Sequence, residues 1–296
     1  MDNALRILIA GGNGQLGRDC QTELARAGHE VLARDLPELD IADEAGVAAL
    51  VQSWKPDVVL NCAAYTAVDR AEREPVAAAR ANAVGPGVLA RVCRGAGARL
   101  LHISTDYVFS GTRNPPTPYC ETDEAGPRSV YGRTKLDGER AIEAELPGQY
   151  AILRTAWLYG AKGRNFLKAV LTRALAGQPL KVVDDQFGSP TCSEDLAHQL
   201  RVVAESGATG LFHATSQGYC SWADFAGAFF RLMDMVVDIT PCKTGEFPAV
   251  APRPSNSILE NVALKAAGLD VMPDWRDALA SFVARHGAEL RAECQP

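Results

Sequence analysis

The chain has no basic block. Its 30 lysines and arginines are mixed with 36 aspartates and glutamates for a formal charge of −6, so no electropositive stripe awaits a phosphate backbone, and no nucleic-acid partner is expected. It also lacks a long apolar run. The apolar start, Leu5 to Ala10, is far too short to span a bilayer and does not have the layout of a secretory leader, so no membrane association is expected. The eight cysteines lack a pattern: there is no Cys-x-x-Cys, and none pairs with the five histidines at metal-ligand spacing. A disulfide framework and a zinc site are therefore not expected, each cysteine reads as a small buried hydrophobe, and the expected compartment is a reducing cytoplasm. Internal repeats, low-complexity tracts and charge runs are absent as well. What remains is the balance of a soluble globular protein, 47% hydrophobic and 22% charged over 296 residues, enough for one large domain or a large and a small one.

The stretch with the most chemistry in it is Tyr131-Gly-Arg-Thr-Lys135, at the start of a helix-like segment. Residues four apart share a helix face, so the phenol and the ammonium can enter one pocket. An ammonium nearby favours the phenolate and lowers the phenol pKa, which makes the pair a proton relay for interconverting a carbonyl and an alcohol. Alone, Tyr-x-x-x-Lys is more often a solvated face. Its context raises it.

That context begins at Ala4-Leu-Arg-Ile-Leu-Ile-Ala10, a strand-like run that enters Gly11-Gly-Asn-Gly14-Gln-Leu-Gly17 and then a helix from Asp19 to Ala27. In a strand–turn–helix unit the first glycine allows the tight turn, the second lets a pyrophosphate approach the helix amides, and the third lets helix and strand pack closely. A second strand, Glu30 to Ala33, ends at Arg34-Asp35. Asp35 stands eighteen residues after Gly17, near the ~20 expected of a carboxylate on the adenosine ribose. Arg34 could instead hold a 2′-phosphate, so NADH and NADPH both remain open, as does a solvated charge pair.

A helix from Asp43 to Trp54 precedes the strand run Pro56 to Ala64, and a long helix from Pro75 to Ala96 precedes the strand Arg99 to Thr105. Small residues and hydroxyls at these strand ends are suited to a ligand. The loop from Ser110 to Val130 is long for a compact domain, which points to a functional role. With the Tyr131 helix and the strand Tyr150 to Thr155, strand and helix alternate about five times, which implies a doubly wound parallel sheet. The expected architecture is α/β. A Rossmann-type domain spans 1–155, completed by strands near 180–184 and 210–214, and a smaller, interleaved substrate region spans 156–296. Helices are expected at Ser193 to Val203, Ser221 to Met233 with Ser221 as N-cap, and Trp275 to His286, with a stiff loop from Pro248 to Pro254.

Several blocks carry a family resemblance: Gly11 to Gly17, Cys62-Ala-Ala-Tyr-Thr-Ala-Val-Asp69, Ser104-Thr-Asp-Tyr-Val-Phe109, Tyr131 to Lys135, Arg154-Thr-Ala-Trp-Leu-Tyr-Gly160, Asn165-Phe166, Asp185 to Thr191, and Arg253-Pro-Ser-Asn-Ser257. In these the chain resembles the extended short-chain dehydrogenase/reductases and, among them, the dTDP-4-dehydrorhamnose reductases. The resemblance covers nearly the whole chain. It implies NADPH- or NADH-dependent reduction of the C4 ketone of a dTDP-sugar. It implies Thr105, Tyr131 and Lys135 as the catalytic trio, with Asn82 close by. For the cofactor it implies Gly11, Asn13, Gly14, Gln15, Leu16, Gly17, Asp35, Asp40, Ile41, Ala63, Ala64 and Tyr65, together with Tyr131 and Lys135. For the sugar nucleotide it implies Val68, Asp69, Thr105, Asp106, Trp157 and Arg253. An indole face can stack on a sugar or base, although a plain core tryptophan fits Trp157 as well. Arg253 offers a planar fork of donors suited to a diphosphate.

The chain departs from the family pattern at Asn114-Pro-Pro-Thr-Pro118, an extra proline stretch in the loop over the substrate, and at Ala10, where a threonine is common. Some family members hold magnesium through acids at a dimer contact. Asp19 and Glu194 match such positions loosely, and surface acids are the plainer reading, so Mg2+ and a homodimer are left open and no metal ligand is assigned. Other readings stay open too: a reductase or epimerase for another nucleotide sugar, a regulatory subunit like the methionine adenosyltransferase β subunit, and a purely structural nucleotide-binding module.

Overall fold

The computed structural model describes residues 4–246 and 249–295. Alternating side chains decide the layering. In Arg6–Ala10 (β1), Ile7 and Ile9 face one side of the sheet while Leu8 and Ala10 face the other, and all four are buried. Glu30–Arg34 (β2), Val58–Asn61 (β3), Arg99–Thr105 (β4) and Tyr150–Thr155 (β5) join it in a parallel sheet ordered β5-β4-β3-β1-β2. Gly210–His213 adds a sixth parallel strand outside β5, so a segment far along the chain completes the sheet. The strand expected near 180–184 does not. Leu180–Val183 pairs with Ile239–Cys242 in a separate two-stranded sheet.

Gln15–Arg26 (α1) and the helix Ser193–Ser206 cover the Ile7 side, with Leu16, Cys20, Leu24, Leu196 and Leu200 in that core. Glu44–Trp54 (α2), Gly85–Ala96 and Val130–Glu145 cover the Leu8 side through Val47, Val51, Leu89 and Ile142. The chain leaves β1 toward β2 and returns to β3 on the opposite side. The strand order therefore switches direction between β1 and β3, where the carboxyl ends open a crevice.

A second core gathers the helices Phe166–Leu175, Trp222–Leu232 and Trp275–Glu293 around Tyr159, Phe225, Phe229 and Phe282. Ser221 caps the second of these with a full capping box to Asp224. The last helix continues past the expected stop at His286 to Glu293; Gly287 is buried within it, where a Cβ would lie 3.2 Å from the Met233 sulfur. The long helix expected from Pro75 to Ala96 is broken by a π-helical turn, Arg80–Val84, between Pro75–Ala79 and Gly85–Ala96. Of the loop expected from Pro248 to Pro254, Pro248 lies outside the described residues. Among the described residues, no helix is long and apolar enough to cross a membrane.

Candidate active site

The glycine turn lies at the carboxyl end of β1. Gly11 has φ +80°, and a Cβ there would sit 2.5 Å from the Ala63 nitrogen. A Cβ on Gly17 would sit 2.2 Å from the Gly11 oxygen, so helix and strand meet only because both residues lack side chains. Gly14 is different: a Cβ there would meet only the Gly11 oxygen, at 3.3 Å. Its bareness leaves room above the turn, where α1 starts with no side-chain cap and the Arg18 amide makes the first helical bond, to Gly14. Uncapped amides at a helix start form an anion site. Asp35 at the end of β2 accepts from the Asn13 and Leu36 amides, 2.9 and 2.8 Å away, which ties the turn to the neighbouring strand. These residues fit a dinucleotide: free amides for the pyrophosphate and an acidic acceptor for the ribose. Leu16 and Ile41 are buried, and Asp40 is paired with Arg80 at 2.6 Å. Gln15 bonds Asn165 at 3.0 Å.

Ala63, Ala64 and Tyr65 follow β3, and Ala63 backs onto Gly11 of the glycine turn. Asn82 holds them. Its oxygen accepts the Tyr65 amide at 2.8 Å, and its amide donates to the Tyr65 carbonyl and the Thr134 hydroxyl, both at 3.1 Å. Asn82 sits in the π-helical turn, fully buried, and such turns recur at functional sites. The turn fits because Gly138 faces it, where a Cβ would lie 2.1 Å from the Asn82 carbonyl oxygen. Gly138→Ala is therefore expected to cost about 1–3 kcal/mol and to weaken cofactor binding. Gly95→Ala, with nothing within 4 Å, should gain about 0.5–1 kcal/mol. Thermal unfolding of the pair reads both signs, and equal effects would refute the steric argument.

Thr105 ends β4, and its hydroxyl donates to Asp106 at 2.9 Å. Tyr131 opens the Val130–Glu145 helix, which Ser129 caps. Burial pushes the Tyr131 phenol up to about 12 despite the opposing hydrogen bond of Thr105, and the Asp106 charge adds to the rise. The phenol is thus fully protonated at neutral pH. Lys135 is not the group that tunes it in this geometry. Its Nζ points into the sheet, 2.6 Å from the Ile103 carbonyl and 3.2 Å from His102 Nε2, and burial pulls it down to about 8. Asp106 is buried and pushed up to about 6 by desolvation, against the Ser257 and Thr105 hydrogen bonds; Ser257 donates to it at 2.5 Å.

A cleft of about 450 Å³ opens beside Tyr107 and is lined by Asp69, Arg253, Arg173, Phe166 and Trp222. Asp69 and Arg253 meet at 2.6 Å, and Asp69 also accepts the Ala251 amide at 2.9 Å. Among the described residues, none hydrogen-bonds Arg253 Nη1, which is buried and suits an anionic group. Val68 starts the short helix that carries Asp69. Trp157 does not line the cleft. It stacks on Trp222 at 3.5 Å and backs the ring that does. The proline stretch at 114–118 packs away from the cleft, onto the segment after Arg253: the Asn256 amide donates to the Arg113 and Thr117 carbonyls.

Asp19 accepts from the Ser193 hydroxyl at 2.5 Å, while Glu194 pairs with Arg285 and His286, each at 2.6 Å. Among the described residues, no cluster of three or more metal-ligating side chains exists, and these two acids are committed to other partners. The sequence reading missed Asn61, His102, Tyr107 and Trp222. For Trp222 the available signal was its place one residue after the Ser221 cap. For His102 it was a lone polar residue inside an apolar strand.

The family model described as "RmlD substrate binding domain" matches residues 5–287. A dTDP-4-dehydrorhamnose reductase from Mycolicibacterium smegmatis is 44% identical over 284 residues, 95% of this chain and 86% of that protein. The crystal structure of a dTDP-4-dehydrorhamnose reductase from Clostridium acetobutylicum superposes with a TM-score of 0.91 at 43% identity, covering 96% of this chain and all of that one (100%). That of the Bacillus anthracis enzyme, in complex with NADP, also gives 0.91, at 37% identity over 95% and 99% of the two chains.

Proposed function

The chain belongs to the RmlD substrate binding domain family, and on that premise we propose that it reduces the C4 ketone of dTDP-4-dehydro-L-rhamnose to dTDP-L-rhamnose. The observation that carries this reading is a protonated Tyr131 beside Thr105, in edge-to-face contact with Tyr107 of the arginine-lined cleft. A bound reduced nicotinamide supplies the hydride. The turn from Gly11 to Gly17 would hold the pyrophosphate, Asp35 a ribose, and Ala63 to Tyr65 the nicotinamide side.

Tyr131 gives its proton to the oxygen of the C4 carbonyl as the C–H bond forms, so ketone, hydride and proton together make the alcohol. Thr105 orients that oxygen; its hydroxyl turns from Asp106 to do so. Lys135, once its ammonium reaches the site, offsets the negative charge left on the phenol oxygen. Arg253 Nη1 binds the diphosphate, and Phe166 with Trp222 supplies aromatic faces for the base. The region 156–296 provides most of this cleft, and 1–155 most of the cofactor site.

The test is loss of reduced-nicotinamide absorbance with dTDP-4-dehydro-L-rhamnose made in situ, with NADPH and NADH supplied in turn. Consumption of cofactor with formation of dTDP-L-rhamnose is expected, and the faster cofactor decides between Arg34 and Asp35 as the dominant recognition group. An epimerase would interconvert sugars with no net oxidation of cofactor. A folded, cofactor-binding protein with no turnover would move the assignment to another nucleotide sugar or to a regulatory subunit.

A further inference from the structure

Lys135 is 2% exposed, and its neighbours His102 and Asn61 are 0% and 1% exposed. Their hydrogen bonds form a directed chain. The Ala63 backbone amide can only donate, and it donates to Asn61 Oδ1 at 3.0 Å. That fixes the Asn61 side chain, so its Nδ2 faces His102 Nδ1 at 3.0 Å as a donor. Nδ1 must then accept. A neutral imidazole that accepts on Nδ1 carries its proton on Nε2. Nε2–H lies 3.2 Å from Lys135 Nζ. An ammonium there would set donor against donor, whereas a neutral amine accepts from Nε2–H and still donates to the Ile103 carbonyl at 2.6 Å.

We propose that Asn61 and His102 are positioning residues that accept Lys135 only as its neutral amine, so that protonation releases the lysine from His102 toward the ligand side of the crevice. The inference rests on Lys135 serving the reduction described above. Burial of Lys135 agrees with it and outweighs the nearby charges. On its own helix the nearest acid is Glu139, whose two oxygens are taken by Arg154 of β5 at 2.9 and 2.6 Å. From the end of β3 it faces the Cys62 thiol, which itself contacts Cys20 of α1. Burial holds His102 well below its ordinary range, and the Lys135 charge pushes the same way. Asp106 lies by Tyr131 and bonds Thr105 and Ser257. Among the described residues, Glu139 and the Cys62 thiol favour the charged lysine, but neither hydrogen-bonds it and burial outweighs both.

The experiment uses the full-length, cofactor-free protein labelled with 15N. Long-range proton–nitrogen correlations of the His102 ring read its tautomer, and the Lys135 Nζ shift reads its charge across a pH titration. The expected result is the Nε2–H tautomer above a lysine midpoint near the value of about 8 that burial imposes. In Asn61→Asp the carboxylate still accepts from Ala63 but now also accepts from Nδ1–H. The tautomer should flip, and the lysine midpoint should rise by about one unit. The alkaline fall of kcat/KM should move with it, so that the variant keeps roughly fivefold more of its activity one unit above the wild-type midpoint. A packing role alone would lower kcat without moving tautomer or midpoint. An Nδ1–H tautomer in the wild type, or an unmoved midpoint in a folded Asn61→Asp, overturns the proposal. If that variant fails to fold, the wild-type tautomer decides alone. Because these readings need no turnover, an inactive enzyme with the expected tautomer would sink the assigned reaction and leave the relay standing.

Discussion

Tyr131→Phe is expected to lower kcat by about 10²–10⁴-fold, the range for removing a positioned proton donor, while cofactor affinity stays within a few-fold. The ring remains, so the edge-to-face contact with Tyr107 at 5.5 Å survives, and no cavity opens. What is lost is the proton. Burial holds the phenol near 12, so in the wild type it keeps that proton through the whole neutral range. The tyrosine therefore cannot cause an alkaline fall in rate until well above the point where Lys135 discharges. Steady-state turnover and quenching of reduced-cofactor fluorescence read the two halves of the prediction. Near-normal turnover with intact binding would remove Tyr131 from the mechanism and return the site to a binding role.

The largest effect on stability should come from Arg154→Met. Arg154 and Glu139 form a two-pronged ion pair with side chains 5% and 3% exposed, joined by the Ser104 hydroxyl. Removing one partner leaves a carboxylate in a dry interior, and such breaks cost about 3–5 kcal/mol. The pair itself is worth far less, because both ions were desolvated to make it. Glu139→Leu with Arg154→Met should therefore recover most of the loss. Urea unfolding of the single and double variants measures both. A single variant that loses under about 1 kcal/mol would mean that water reaches the pair.

Much of this architecture could be read directly from the residues. The β-branched apolar runs and intervening helices mark all six sheet strands, Gly210–His213 included, and Gly11, Gly14 and Gly17 mark the turn after the first of them. The strand at 180–183 was misplaced because a short apolar run does not reveal its partner: Leu180–Val183 pairs with Ile239–Cys242, nearly sixty residues on. The helix after Trp275 was ended at His286, whereas it runs on through the buried Gly287 to Glu293. Asn82 was placed near the site by the family resemblance alone, because nothing local distinguishes a π-helical turn, which depends on Gly138 across the interface. Lys135 was expected to face Tyr131, but His102, thirty-three residues earlier in the chain, takes it instead, and no spacing rule couples the two.

The sixth strand, Gly210–His213, and the helix Ser193–Ser206 that packs on α1 have a consequence for synthesis. When residue 155 leaves the ribosome, the edge of β5 and the apolar stripe of α1 still have no cover. The missing pieces arrive some sixty residues later, roughly 3–12 s at ordinary elongation rates. The nascent N-terminal sheet must wait, half-clothed, for a segment that follows the second core's first helix. Cutting the gene between residues 155 and 156 should accordingly yield two insoluble fragments, whereas a nick in the finished protein should leave it whole.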